Sequence, residues 1–330
     1  MIRTVCILQV LGWWTISAVA LADDPTKLLR HLESVAESEV YVYKLKDDRG
    51  QGMDCLKVFQ PESAAVPGVY FGVYHHMRQG VLVTHLARST DLMNWMHLTA
   101  LDEHASQPAI FSCANGAYLL AYEHDEPNSV WIRIRHYQDL AALCEGRHDR
   151  QFDVPRSLAP TAEGTPSFES VSVGHQGVVE SEIQLRFHYY QDGDVDQLAV
   201  GTLTNFQTWE ARPAKALNTG LIEQGWRGNL GDRDKFDWND QTFYLQELQR
   251  TKGDWGSWRL GLCDAKGALL HELSIRTHQD STAFSNPHAT WITDAAQHKK
   301  LVVTLFLHSQ GNPPSERGVL LYMIDPKKAP

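Results

Sequence analysis

The 330-residue chain carries 40 acidic against 30 basic side chains, a net charge of −10, and no Lys/Arg-rich run. That balance argues against a nucleic-acid surface and against attraction to anionic membranes, since both depend on clustered positive charge. The length suits one large all-β domain or two smaller ones.

Residues 1–22 read as a signal peptide. Arg3 supplies a positive start, Val5 to Ala20 is almost wholly apolar, and Ala20-Leu21-Ala22 offers a small-x-small cleavage site before Asp23-Asp24. The apolar run is short for a membrane anchor, and no later run is long enough to span a bilayer. The expected protein is therefore soluble, secreted or periplasmic, and a monomer. Cys55, Cys113, Cys144 and Cys263 remain after cleavage, without CxxC spacing, so a zinc site is not expected. A Cys113–Cys144 disulfide is the favoured pairing.

A short helix is expected within residues 23–38. Asp24 can cap it, Pro25 suits its first turn, and Leu28, Leu29, Leu32 and Val35 share a face. From residue 39 to 330 the chain reads as short strands separated by turn residues. Four units of four strands run over about Met53–Ala100, Gln107–Val154, Pro166–Pro213 and Asp234–Arg276. A fifth, from Pro287, holds three strands and then the chain ends, while Val40–Leu45 precedes the first unit unused. A surplus strand at one terminus and a deficit at the other predict a ring closed by the N-terminal strand, which removes exposed edges.

An internal echo supports this period. Ser89-Thr90-Asp91-Leu92-Met93-Asn94-Trp95 returns as Leu203-Thr204-Asn205-Phe206-Gln207-Thr208-Trp209, each copy between two β-like runs. The spacing predicts a five-bladed β-propeller, with a β-sandwich or two β-domains as the alternatives. Asp91 and Trp95 suit structure: turn bonding by the carboxylate, packing by the indole.

In a propeller, the start of each innermost strand and the end of the second strand meet at one mouth of the central channel. The strand starts bring Asp54, Gln107, Thr165, Arg233, Asp234 and His288 there; the second-strand ends bring His75, His76, Glu123, His124, Tyr190, Glu247 and His308. Such an acidic pocket with aromatic walls points to carbohydrate chemistry. His75, His76, His124, His288 and His308 could bind a metal, although a local hydrogen bond is the commoner use of a strand histidine. No nucleophilic triad or phosphate loop stands out, and no metal ligand set is assigned.

The chain resembles the five-bladed β-propeller glycoside hydrolases, the superfamily of arabinanases, β-xylosidases, invertases and levansucrases. The residues that carry the resemblance are Ser89–Trp95, similar to their Ser-x-Asp-Leu-x-x-Trp segment, Arg233-Asp234-Lys235, similar to Arg-Asp-Pro, and Glu163-Gly164-Thr165-Pro166, similar to Glu-Gly-Pro with one insertion. The resemblance implies a glycosidase with two carboxyl groups across a pocket: Asp54 as base or nucleophile and Glu163 as acid. Gln107 stands where the superfamily carries a further Asp, so Asp234 or Glu103 is a substitute, and Glu169 an alternative acid. Gln107, Glu123, His124, Tyr190, Arg233, Glu247 and His288 are expected to bind substrate. No cofactor is expected, although the resemblance also raises calcium in the central channel, near His288. Two other functions fit the same surface: a non-catalytic carbohydrate-binding propeller, and a polysaccharide lyase using His76, His124, Tyr190 and Arg233.

Overall fold

The computed structural model describes residues 25–61, 67–190 and 195–328. The expected signal peptide and the Asp24 cap lie outside them. Among the described residues no helix is long and apolar enough to cross a membrane.

The strands of the described residues form five blades of four. Blade I comprises Asp54–Phe59, Tyr70–Arg78, Val81–Ser89 and Trp95–Glu103. Blade II comprises Ala105–Ser112, Tyr118–Glu126, Ser129–Tyr137 and Arg150–Asp153. Blade III comprises Ala162–Gly174, Gly177–Tyr190, Asp196–Thr204 and Thr208–Pro213, and a single parallel pairing, Ala162 with Val130, joins it to blade II. Blade IV comprises Leu230–Trp238, Gln241–Gln249, Trp258–Cys263 and Leu269–Glu272. Blade V takes Phe284–Thr293, Lys299–Leu307 and Gly318–Ile324 from the C-terminal end of the chain. Its fourth strand is Val40–Val42, antiparallel to Gly318–Ile324 with Val40 opposite Met323.

Apolar side chains fill each gap between neighbouring blades. Leu86, Tyr118 and Leu120 are in the I–II cluster, Leu119, Ile183 and Leu185 in II–III, and Leu198, Trp226 and Leu248 in III–IV. Leu245, Leu262 and Leu301 pack in IV–V, and Leu56, Trp95, Val302 and Leu321 in V–I. Burying both faces of every blade is what makes the ring of separate sheets one cooperative body. The helix Pro25–Glu33 seats Leu28 and Leu32 in the IV–V cluster, joined by Val35 of the following 3-10 turn, so the expected face is the one buried.

The two tryptophans of the echo pack differently from their turns. Asp91 accepts the backbone N–H groups of Met93 and Asn94 at 2.9 and 2.7 Å, and Trp95 Nε1 donates to the Leu92 carbonyl at 2.8 Å. The second copy instead turns on Asn205 and Phe206, both at positive φ. Trp95 lies against Gly72, where an added Cβ would fall 2.6 Å from Leu56 and 3.0 Å from the indole. Both neighbours are fully buried. Gly72→Ala is therefore expected to cost about 1–3 kcal/mol by overpacking, read in denaturant unfolding.

The expected disulfide is not formed: all four cysteines of the described chain are free. Cys113 belongs to the II–III core and Cys144 packs on the I–II core, so blade II stands between them.

Candidate functional site

All five innermost strands slip register near their starts, at Asp54/Lys57, Ser106/Ala109, Gly164/Ser167, Leu230/Arg233 and Ser285/His288. A repeated bulge of this kind re-aims side chains toward the axis. In four blades the bulge holds a non-glycine residue in the left-handed region: Cys55 (φ 55°), Gln107 (51°), Thr165 (46°) and Asn286 (45°). Such backbone costs about 1 kcal/mol or more per residue and persists where the surroundings enforce it, a pattern that marks functional sites. Blade IV has Gly231 at this level, and a Cβ there would lie 1.9 Å from Glu247 Oε1.

Among the described residues, two contacts cross the axis between non-adjacent blades. Asn286 Nδ2 of blade V donates to Gln107 Oε1 of blade II at 2.8 Å. Lys57 Nζ of blade I donates to Asp232 Oδ2 of blade IV at 2.6 Å and to the Pro287 carbonyl at 2.8 Å. Lys57 and Asp232 are both buried. Burial opposes the ammonium charge, but Asp232 and Asp234 more than restore it and hold the Lys57 pKa above its usual value. Burial pushes the Asp232 carboxyl up, against the opposing pull of Lys57.

Carboxylates and histidines gather around this centre. Glu123 Oε1 accepts from the Thr165 N–H and hydroxyl, both at 2.6 Å, and Ser106 donates to Oε2 at 3.2 Å. His188 stands 3.7 Å from Glu123. Glu247 Oε2 accepts the Asn286 N–H at 2.6 Å; burial and the neighbouring Asp232 raise its pKa to about 7. Asp54 is raised to about 6 by burial. His75, opposite Asp54 in register, accepts the Gln107 N–H through Nδ1 at 3.2 Å, and burial with His76 lowers it to about 4.

Of the residues expected to act, the structure thus brings Asp54, Gln107, Glu123 and Glu247 to one mouth. Asp234 and His288 lie on the channel wall beyond it, 3.0 Å apart, and Ala289 N–H donates to Asp234 at 2.8 Å. Burial alone would raise Asp234, but His288 and Lys57 keep it below the usual carboxylate range. From this level a cavity of about 350 Å³ lined by Lys57, Ala109, Ser167, Asp234, His288 and Trp291 runs toward the other mouth.

Other expected residues face elsewhere. Glu163 is fully buried and its Oε1 accepts the backbone N–H groups of Ser157, Leu158 and Ala159 at 2.7, 2.5 and 3.1 Å, anchoring the II–III linker. Glu169 pairs with Arg186 and accepts the Tyr244 hydroxyl at 2.5 Å. Arg233 lies over the Tyr244 ring at 4.2 Å, and burial together with Arg186 lowers it to about 10. His124 is engaged by Arg133 at 3.2 Å on blade II, and Glu103 pairs with Arg78. Tyr190 lies at the end of blade III's second strand, with the Lys252 ammonium 6.0 Å from its ring. His76 stacks on His85 and His308 on Trp258.

Lys57, Asp232, His188 and Asn286 were not assigned roles from the sequence. The signal for His188 was its register: it stands opposite Gly164 as Glu123 stands opposite Ser106. Counting from the polar end of the strand lands instead on Tyr190.

Calcium does not fit the axis. The oxygens of Asp232 and Pro287 that a divalent ion would want already hold the Lys57 ammonium, and a second cation would meet that fixed charge. No group of three metal-ligating side chains lies among the described residues. Chelation with EDTA is accordingly expected to leave the thermal midpoint unchanged within about 1 °C, measured by scanning calorimetry against a calcium-supplemented sample.

No protein-family model matches the sequence, and no curated protein matches it at a significant level. The solved structures it resembles, several of them glycoside hydrolases, define the class of fold: a five-bladed β-propeller. Among them are a thermostable family-43 glycoside hydrolase (TM-score 0.54, 10% identity, 86% of this chain and 92% of that one) and a Cellvibrio cellulosa α-L-arabinanase in complex with arabinohexaose (0.51, 11%, 83% and 91%). An endo-arabinase from Bacteroides thetaiotaomicron is similar to the same degree (0.51, 12%, 86% and 96%). At these identities the likeness is one of fold.

Proposed function

We propose that the protein is an exported glycoside hydrolase acting at the bulged mouth of the propeller, with Glu247 as general acid and Asp54 as the opposing carboxylate. The carrying observation is that two carboxyl groups at one mouth, the buried Glu247 and the partly buried Asp54, have pKa values raised to about 7 and about 6. An acid must still hold its proton near neutrality, while its partner must have lost one. Glu247 replaces Glu163 in the acid role because Glu163 is fully buried and three backbone N–H groups converge on its Oε1, which favours its ionised form. Glu123, His188 and Thr165 would then bind sugar hydroxyls.

Hydrolysis of plant-type oligosaccharides by the wild type, lost in Glu247→Gln and in Asp54→Asn, is the expected result. Glu163→Gln should instead act chiefly through stability. A protein that binds oligosaccharides without cleaving any of them would favour a non-catalytic carbohydrate-binding propeller. The Gln107–Asn286 bridge across the axis supports that second reading, because it narrows the mouth a substrate would enter.

A further inference from the structure

Trp255 is the only tryptophan among the described residues that is more than half exposed, at 53%. A large aromatic side chain left in water keeps an apolar ring face unburied, available for a ligand to cover. Its position in the fold is specific. The second strand of blade IV ends at Gln249 and is antiparallel to the innermost strand, with Leu248 opposite Leu230. The loop from Arg250 to Ser257 therefore emerges at the same end as Gly231 and Asp232. His308 follows the second strand of blade V, whose Leu307 stands opposite Phe284, and so lies at that end as well.

The indole is fixed in place. Its ring lies 5.2 Å from His308 and 6.5 Å from Trp258, and those two rings stack on each other at 6.1 Å. Asp254 accepts the Gly256 N–H at 2.9 Å, Ser257 Oγ donates to the Asp254 carbonyl at 2.7 Å, and Arg259 donates to the Gly256 carbonyl at 2.9 Å. Gln249 ties this loop to the mouth: its Nε2 donates to the Asp254 carbonyl at 3.1 Å and its Oε1 accepts the Asn229 N–H at 3.1 Å, one residue before the blade IV innermost strand. A rigid, backed aromatic face loses little entropy when a ligand stacks on it.

We infer that Trp255 is a sugar-stacking subsite on the rim of the mouth, holding a distal ring of an oligosaccharide whose nearer end lies by Glu247. The occupant follows from continuity with the mouth. Glu247 lies two residues before Gln249 on the strand that leads into the Trp255 loop, so one extended ligand can reach both. The flat apolar face of a sugar ring matches an indole backed by two further rings. This inference rests on the carbohydrate reading of the mouth but not on its catalytic assignment.

The test titrates wild type, Trp255→Ala and Trp255→Phe with hexasaccharides and disaccharides of the arabino-, xylo- and fructo- series, by calorimetry. The exposed position should leave all three equally folded, which thermal unfolding checks. For a hexasaccharide that the wild type binds, Trp255→Ala is expected to weaken affinity by about 10- to 50-fold, Trp255→Phe by less than about fivefold. The loss should shrink to under about threefold for the disaccharide. Equal hexasaccharide affinity in wild type and Trp255→Ala would overturn the subsite and leave the mouth assignment standing. Trp255-dependent binding without cleavage would uphold the subsite and remove the hydrolase reading. Binding of none of these sugars would overturn the subsite. A change in sedimentation of Trp255→Ala with sugar affinity unaltered would reassign the indole to self-association.

Discussion

Lys57→Met is expected to destabilise the protein by about 3–5 kcal/mol at neutral pH, the usual cost of removing one partner from a buried ion pair. The reason is what it leaves behind. Asp232 is 1% exposed, and its Oδ2 has Lys57 as its cationic partner across the axis. Methionine fills much of the lysine stem's volume, so the packing loss is small and the charge loss dominates. The sign of the pH dependence follows. Asp232 already has a raised pKa in the folded protein, and removing the ammonium raises it further. A carboxyl raised on folding opposes folding when ionised, so the penalty is full above its folded pKa and fades as pH falls toward the unfolded value near 4. Denaturant unfolding of Lys57→Met should thus approach wild-type stability in acid and diverge from it toward pH 8. Adding Asp232→Asn should recover most of the loss at pH 8, giving a coupling energy of about 2 kcal/mol or more in the double-mutant cycle. A loss independent of pH, unrecovered by the second substitution, would mean that Lys57 acts through packing alone.

The blades were legible because turn chemistry and alternation are local properties. Gly, Asn and Asp at the hairpins bound each strand, and Val40–Val42 could be matched to blade V by counting strands. What remained hidden is not local. The helix Lys215–Glu223 contains Asn218, Thr219 and Gly220, a poor helical run by propensity. It is held by tertiary bonds, with the Asn218 side chain spanning the Leu198 N–H at 2.9 Å and its carbonyl at 3.0 Å. The shorter helix Leu140–Cys144 did leave a sign, since Asp139 caps it by accepting the Ala142 N–H at 2.7 Å.

The site was half legible for the same reason. Which end of the channel the strand starts share follows from strand direction, and it places Asp54, Glu123 and Glu247 at that end. The bulge decides which side chain of each strand start turns inward, and a one-residue slip has no signature of its own in the sequence. Glu163 shows the consequence. Its motif marks a strand start correctly, yet at the bulge Thr165 is the residue that reaches Glu123, while Glu163 binds the linker. The sequence points to Arg233-Asp234 and not to Asp232, because the contact of Asp232 depends on a lysine 175 positions away.

The largest functional effect is expected at Glu247. If it donates the proton to the leaving oxygen, Glu247→Gln should lower kcat on oligosaccharides by about 10²–10⁴-fold, with much less effect on aryl glycosides whose leaving groups need no proton. The pH profile of kcat/KM should be a narrow bell. Its acid limb reflects ionisation of Asp54 at about 6 and its alkaline limb deprotonation of Glu247 at about 7, which sets the maximum near pH 6.5. Stability separates this from a folding defect. Glu247 is raised above its unfolded value, so in the wild type it opposes folding increasingly as pH rises from about 4.5 through 7. Glutamine stays neutral and escapes that penalty, so Glu247→Gln should gain stability relative to wild type across this window while losing activity. A variant less stable at pH 8 as well as inactive would place Glu247 in the framework with Asp232 and the Asn286 N–H. An active variant with an unchanged alkaline limb would move the acid to another group at the mouth, with Glu123 first in line because it faces Thr165 and His188 across the same opening.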